Sequence, residues 1–162
     1  METDELMSPE DAMKETVIVR VMRENDLDVV VRIDAASSGR SRPEFFRLML
    51  ERSINQTGMQ ISLAAEMDER VVGFVIGSLY YGEFGILEPS ASIDAISVRP
   101  DFRGKGVGQA LMRQLRTQLE ALGVSAIRTE VSWNDFTLLA FFASEGFRPA
   151  ERLCLEKKLD GR

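Results

Sequence analysis

The sequence contains no histidine and a single cysteine, Cys154, among its 162 residues. Without histidine there is no imidazole base, no Ser-His-Asp triad and no histidine-ligated zinc. One thiol cannot close an intrachain disulfide. Its place between Leu153 and Leu155, in a strand-like run, argues for a buried side chain rather than a nucleophile. Chemistry therefore falls to carboxylates, hydroxyls, amines or the backbone. No apolar run approaches the ~20 residues that cross a bilayer. The N-terminal METDELMSPEDAMKE lacks both the basic n-region and the apolar h-region of a secretory signal. A cytoplasmic protein with no membrane partner is the expectation. A strong field is also missing: residues 1–15 hold six acids against Lys14, a net of −5, which leaves −1 of the formal −6 for all that follows. Steering by net charge is weak in such a domain, and no basic face marks a nucleic-acid partner.

What is present fits one globular domain. Apolar residues make up 44% and charged residues 28%, and a chain of this length buries roughly two-thirds of its unfolded surface. Residues 1–15 read as a flexible acidic tail and 16–162 as a single domain. Thr16–Met22 is β-branched and reads as a strand. Asn25 or Asp26 can cap a helix over Leu27–Ala36, with Leu27, Val30 and Val31 on its apolar face and Asp34 at the polar edge. Pro43 opens a second helix with Phe46, Leu50 and Ile54 on one face. Gln60–Met67 and Arg70–Tyr81 read as a hairpin through Asp68 and Glu69, and Ser92–Val98 as a fourth strand. A helix with Leu111, Leu115, Leu119 and Leu122 on one side follows, with Gly123 as its C-terminal stop. Val124–Trp133 reads as a fifth strand, Asn134 as the cap of a short helix ended by Gly146, and FRPAERLCLEKKLD as a closing strand or hairpin. Trp133 and the phenylalanines of that short helix read as core. The order is mixed and strands outnumber helices, so the class is α+β or mixed α/β.

The sharpest motif is VRPDFRGKGVGQAL, Val98 to Leu111. A strand running into a glycine-rich turn and then a helix leaves backbone N–H groups free at the positive end of the helix dipole, a natural anion site. Glycine removes the Cβ that would block close approach. Two well-known loops fail on spacing: Lys105 is followed by Gly106 rather than Ser or Thr, and Gln109 stands where a dinucleotide fingerprint begun at Gly104 needs its last glycine.

The run Arg103-Gly-Lys-Gly-Val-Gly108 has the form R/Q-x-x-G-x-G/A, directly after a strand ending in V-x-P. It resembles the acetyl-CoA loop of the GNAT N-acetyltransferase superfamily. The element order from Thr16 to about Leu159 is similar to that family's, with FFASEGF, Phe141 to Phe147, in the second signature position. The resemblance implies a central mixed, mostly antiparallel twisted sheet of six to seven strands flanked by about four helices. It implies an acetyl-CoA co-substrate with no metal, its pyrophosphate cradled by the amides of Arg103, Gly104, Lys105, Gly106, Val107 and Gly108. Arg103 and Lys105 either add charge to the site or are plain solvated loop cations. Strands four and five then splay, and the pantetheine arm pairs with the strand-four backbone at Ile96, Ser97 and Val98; an N–H near Val98 polarises the thioester carbonyl. Asn134 is a further cofactor contact or merely a cap.

Transfer to an amine needs a group to take the ammonium proton. Asp94, four residues before Val98 and so on the face of Ile96 and Val98 by simple alternation, is the candidate base. Its alternative role is structural, and Glu130 and Glu66 are weaker rivals. Many family members carry a tyrosine on the last helix to protonate the leaving thiolate; here the slot holds Phe142, or Phe141 in the adjacent register. Acceptor loops rich in both charge signs (Arg40, Arg42, Glu44, Tyr80, Tyr81, Glu83, Arg148, Glu151, Arg152) suit an amine-bearing small molecule or a peptide N-terminus, and equally suit an ordinary surface. Two functions stay open: an N-acetyltransferase and a non-catalytic acyl-CoA-binding module. Homodimerisation is undecided by the sequence.

Overall fold

A computed structural model describes residues 16–55, 61–81, 85 and 87–159; the acidic tail and Glu83 lie outside them. The described residues fall into two compact units that divide between Glu130 and Val131.

The first unit is built on five strands in the order β1-β2-β3-β4-β5. They are β1 (Ile18–Val21), β2 (Leu63–Met67), β3 (Arg70–Tyr80), β4 (Ser90–Val98) and β5 (Ala126–Thr129). The first three pairings are antiparallel and β4–β5 is parallel. The β2–β3 hairpin turns through Asp68 and Glu69 at φ 49° and 60°, the left-handed pair that matches the right-handed twist of the flanking strands. Between β1 and β2 come α1 (Leu27–Ser38) and α2 (Pro43–Asn55); Val30, Ile33, Phe46 and Leu50 pack with Phe74 and Ile76 of β3. On the opposite face, α3 (Val107–Ala121) carries Leu111, Leu115 and Leu119, each 2% exposed or less. Burying each such leucine contributes about 1.5–3 kcal/mol. Gly123 at φ 73° closes the helix, its N–H donating to Glu120 O and that of Val124 to Leu119 O.

Several expectations need correction. Asp34 does not mark a polar edge: it is 6% exposed and holds Arg42 at 2.7 and 3.0 Å, so the ion pair pins the α1–α2 loop. The sheet has five strands among the described residues, against six to seven expected. In the second unit, α4 (Phe136–Ser144) is capped by Asp135, whose carboxylate accepts from Leu138 N, rather than by Asn134. Residues 147–159 form no strand: Leu153, Leu155 and Leu159 are 88%, 88% and 84% exposed, and Cys154 is exposed with them. An alternating apolar run becomes a strand only where a neighbour takes its backbone, and none of the described strands pairs with it. Trp133 and Phe136 are also exposed, at 83% and 71%.

Candidate active site

The glycine loop grows out of β4 through a 3-10 turn, Pro100–Phe102, whose buried Phe102 carries Arg99 and Lys105 over its ring at 5.2 and 5.1 Å. Two of the three alternate glycines adopt backbone that other residues resist: Gly104 at φ 75° and Gly106 at φ 82°. Gly108 lies inside α3. Gly106 is the N-cap of α3 and offers no side chain to its amides. The first bond back to the cap is Ala110 N to Gly106 O at 3.0 Å, so the N–H groups of Val107, Gly108 and Gln109 have no acceptor within the helix. Gly73 on β3 holds this helix start against the sheet: a Cβ there would lie 2.9 Å from Val107 Cγ1 and 3.2 Å from Ser97 O. Arg103 is turned toward α1, its Nη2 donating to Ser37 Oγ at 2.9 Å, while Ser97 Oγ lies 2.8 Å from the same oxygen.

Beside the loop, β4 is paired on one edge only. The parallel ladder runs from Ser90–Ala126 to Ile93–Thr129 and stops where β5 ends. The Thr129 hydroxyl donates to Ile93 O at 3.0 Å at the point of divergence. Among the described strands, Asp94–Val98 continue against β3 alone, and the hydrogen-bonded turn Arg99–Arg103 joins this half-paired stretch to the start of α3.

Asp94 sits on a β-bulge. Ala95 faces Ile76 and Ile93 faces Gly77, which leaves Asp94 without a partner on β3. The extra residue breaks simple alternation. Ile96 pairs with Val75, opposite to the face of Phe74 and Ile76, whereas Asp94 turns to Ser78 and Ser92. The expectation that Asp94 shares a face with Ile96 and Val98 is therefore overturned by the bulge. Its carboxylate accepts from the hydroxyls of Ser78 and Ser92, the latter at 2.7 Å, and Ser92 lies 3.4 Å from the Tyr80 hydroxyl. Sequence reasoning missed Ser37, Ser78 and Ser92. The signal for the last two was present, as hydroxyls in step with Tyr80 on β3 and Asp94 on β4.

The rival carboxylates fare differently. Glu66 accepts from Arg20 Nε at 2.6 Å, and the same guanidinium binds Asp26 at 2.7 and 2.9 Å. Glu130 is exposed. Of the acceptor-loop charges, Arg42 is held by Asp34 and lies over the Phe45 and Phe46 rings at 4.9 and 5.5 Å, and Glu44 pairs with Arg47 at 2.9 Å. Asn134 and Phe142 belong to the second unit. Phe142 is 4% exposed and packs on Phe141 and Phe147, with ring centroids 5.4 and 4.9 Å away.

Comparison with solved structures finds the same fold. An aminoglycoside N-acetyltransferase in complex with CoA matches at TM-score 0.74 and 19% identity, covering 88% of this chain and 95% of that one. An aminoglycoside 6'-N-acetyltransferase from Acinetobacter baumannii matches at TM-score 0.74 and 17% identity, covering 90% and 100%. The ribosomal-protein-S18-alanine N-acetyltransferase from Escherichia coli matches at TM-score 0.69 and 20% identity, covering 83% and 79%. The family model described as acetyltransferase (GNAT) family matches residues 29–147, a stretch that begins in α1 and ends just past α4, and the chain belongs to the GNAT acetyltransferase family.

Proposed function

We propose that the protein is an acetyl-CoA-dependent N-acetyltransferase that moves the acetyl group directly to a primary amine of a small molecule or peptide. The observation that carries this reading is that one short turn joins the edge of β4 at Asp94–Val98, beyond the end of the β5 ladder, to the start of α3, whose first amides have no acceptor within the helix. An anionic head with an amide-bearing tail needs both, in that order. The amides of Val107 and Gly108, together with those of Gly104–Gly106, would hold the pyrophosphate, which favours the positive end of the helix dipole; the Arg103 N–H already donates to Pro100 O. The Ile96–Val98 backbone would pair with the amides of the pantetheine arm as an added strand does. When bound, acetyl-CoA supplies an activated acyl group on a thiol leaving group. A β4 N–H near Val98 would then donate to the carbonyl oxygen as charge develops there.

We assign Asp94 the role of taking the ammonium proton; its rival Glu66 is already paired with Arg20. On the leaving side, Phe142 brings no hydroxyl. A thiol with an ordinary pKa of about 8.5 leaves as thiolate far more readily than an alcohol leaves as alkoxide, and solvent can protonate it. The similar structures are named for acetyl transfer to an aminoglycoside and to an alanine of a ribosomal protein; in each the acceptor is a nitrogen. The buried Phe142 also favours a second reading, a non-catalytic acyl-CoA-binding module. Calorimetry with acetyl-CoA followed by a disulfide-dye screen for thiol release across a library of primary amines separates the two. Heat with amine-dependent thiol release supports the enzyme. Heat without release supports the binding module, and no heat removes both.

A further inference from the structure

The hydroxyls around Asp94 have a direction. An ionised carboxylate only accepts, so Ser78 and Ser92 each donate to it, one on either oxygen. Ser92 has a single O–H, committed to Asp94 Oδ1 at 2.7 Å; its 3.4 Å contact with Tyr80 is too long for a formed bond, and if it closes with the Asp94 bond kept, the tyrosine becomes the donor. The order is Tyr80 to Ser92 to Asp94, with Ser78 fixing the far side of the carboxylate. Register places the chain on one sheet face: Ser78 lies directly opposite Ser92, and Tyr80 sits two residues further along β3 as its last residue. Tyr80 and Ser92 are both half-buried, and beyond Tyr80 the chain leaves the sheet at the 58% exposed Tyr81. The tyrosine oxygen keeps a lone pair free to accept.

We propose that Tyr80 and Ser92 form a proton relay that collects the proton of the acceptor ammonium and delivers it to Asp94. The inference rests on the acetyltransferase reading and extends its base by two hydroxyls. In the step, the ammonium N–H bond breaks as its proton joins the Tyr80 oxygen. The tyrosine's own proton passes to Ser92 Oγ, and the Ser92 proton passes to Asp94 Oδ1. The amine keeps its electron pair as the nucleophile, and one carboxylic acid replaces one carboxylate. The 3.4 Å gap exceeds the 2.7–2.8 Å of a formed O–H···O bond and must close by about 0.6 Å, within reach of a side-chain rotation. Ser78 is a positioning residue: it holds the carboxylate with Oδ1 toward Ser92.

Two measurements test the relay. Tyr80 and Tyr81 are the only tyrosines, so Tyr81→Phe protein grown with tyrosine carrying 13C at the ring Cζ gives one signal, that of Tyr80. The groups that contact Asp94 are the hydroxyls of Ser78 and Ser92, with Tyr80 beyond. The Tyr80 signal is expected to move in Asp94→Asn, which removes the anion at the end of the chain, and in Ser92→Ala, which cuts the chain in the middle. A signal indifferent to either change overturns the hydroxyl chain. The second measurement uses whichever primary amine gives thiol release. Tyr80→Phe is expected to lower kcat about ten- to a hundredfold with KM within twofold. The deficit should shrink as pH rises toward the pKa of the amine, where neutral nucleophile is already present. The double variant Tyr80→Phe/Ser92→Ala should be no slower than the slower single one, because both break one path. Deficits that multiply, or a Tyr80→Phe rate equal to wild type, overturn the relay. If no amine releases thiol from the wild-type protein, the transfer reading falls and takes the relay's purpose with it, while the carbon signal still decides whether the chain of hydroxyls exists.

Discussion

Two clusters in the first unit, one around the acids Asp26 and Glu66 and one around Asp94, are built in opposite ways. Around β1, one guanidinium answers two acids: Arg20 binds Asp26 through both terminal nitrogens and Glu66 through Nε, and the Arg23 backbone N–H adds a further bond to Asp26 at 2.7 Å. On β4, the contacts of Asp94 are hydroxyls. A guanidinium cannot give up its proton near neutral pH, so the first cluster is closed to proton traffic and serves to hold β1, the 3-10 turn and β2 together. Hydroxyls accept and donate at once, so the second stays open to it. The same contrast separates the two ends of α3, where the last carbonyls are taken up by the Gly123 turn while the first amides face no acceptor in the helix.

The largest expected effect falls on the open cluster. Asp94→Asn keeps shape and removes the base; turnover should fall by about 10²–10⁴, the range of a lost general base, while calorimetry with acetyl-CoA gives an unchanged Kd. A rise in Kd matching the fall in rate would assign Asp94 to the fold instead. The closed cluster should answer in stability. Arg20→Met leaves Asp26, 5% exposed, without its cation and is expected to cost about 2–4 kcal/mol in urea unfolding, near the cost of breaking a buried pair from one side. If the unfolding midpoint stays put, the cluster is ornamental.

Acid sharpens the same contrast. Burial opposes the charged form of Asp26, but the hydrogen bonds from Arg20 and the Arg23 N–H outweigh it and hold its carboxyl below the ordinary carboxylate value. A group depressed in the folded state contributes stability in full above its unfolded pKa, about 3.9, and loses it as pH falls through the lower folded value. The melting temperature should therefore show an Asp26-dependent contribution that is constant from neutral pH down to about pH 5 and declines below pH 4. Asp26→Asn should flatten that decline.

Much of this was legible in the sequence because the signals were local. The α3 leucines at helical spacing, the Asp68–Glu69 turn and the spacing of Gly104, Gly106 and Gly108 each declare themselves within a few residues, and so did the loop's place after β4. What escaped depended on partners far along the chain. The buried state of Asp34 comes from Arg42, and the exclusion of Glu66 comes from Arg20 across the β1–β2 ladder. The bulge at Asp94 arises because β3 offers one residue fewer than β4, which no period-2 pattern can reveal. The expected closing strand failed for the complementary reason: Leu153 and Leu155 carry the alternation, but a strand also needs a neighbour.

A smaller effect should follow from packing at the loop. Gly73→Ala sets a Cβ 2.9 Å from Val107 Cγ1 and 3.2 Å from the Ser97 carbonyl. The valine can rotate, but the β4 backbone cannot yield freely, so a loss of about 1–3 kcal/mol is expected together with a several-fold weaker acetyl-CoA Kd, since the helix start and the β4 edge are both displaced. Stability lost without any change in Kd would detach Gly73 from the cofactor site.

The smallest and most discriminating change compares Gly104→Ala with Gly123→Ala. Both glycines have positive φ, 75° and 73°, and at both a new Cβ meets nothing within 4 Å. The penalty in each case is the backbone alone, about 1–2 kcal/mol for a left-handed non-glycine residue. Urea unfolding should therefore register the two variants as equals. Their effect on acetyl-CoA should differ: the Gly123 turn has already spent its N–H groups on Glu120 and Leu119 carbonyls, whereas Gly104 lies in the segment whose amides the ligand would use. A side chain at Gly104 both biases the loop away from its left-handed turn and occupies the approach to those amides, so Kd should weaken several-fold there and stay constant at Gly123. Equal Kd values for the two variants would mean that the left-handed loop merely redirects the chain from strand to helix, and the anion site would have to be sought elsewhere.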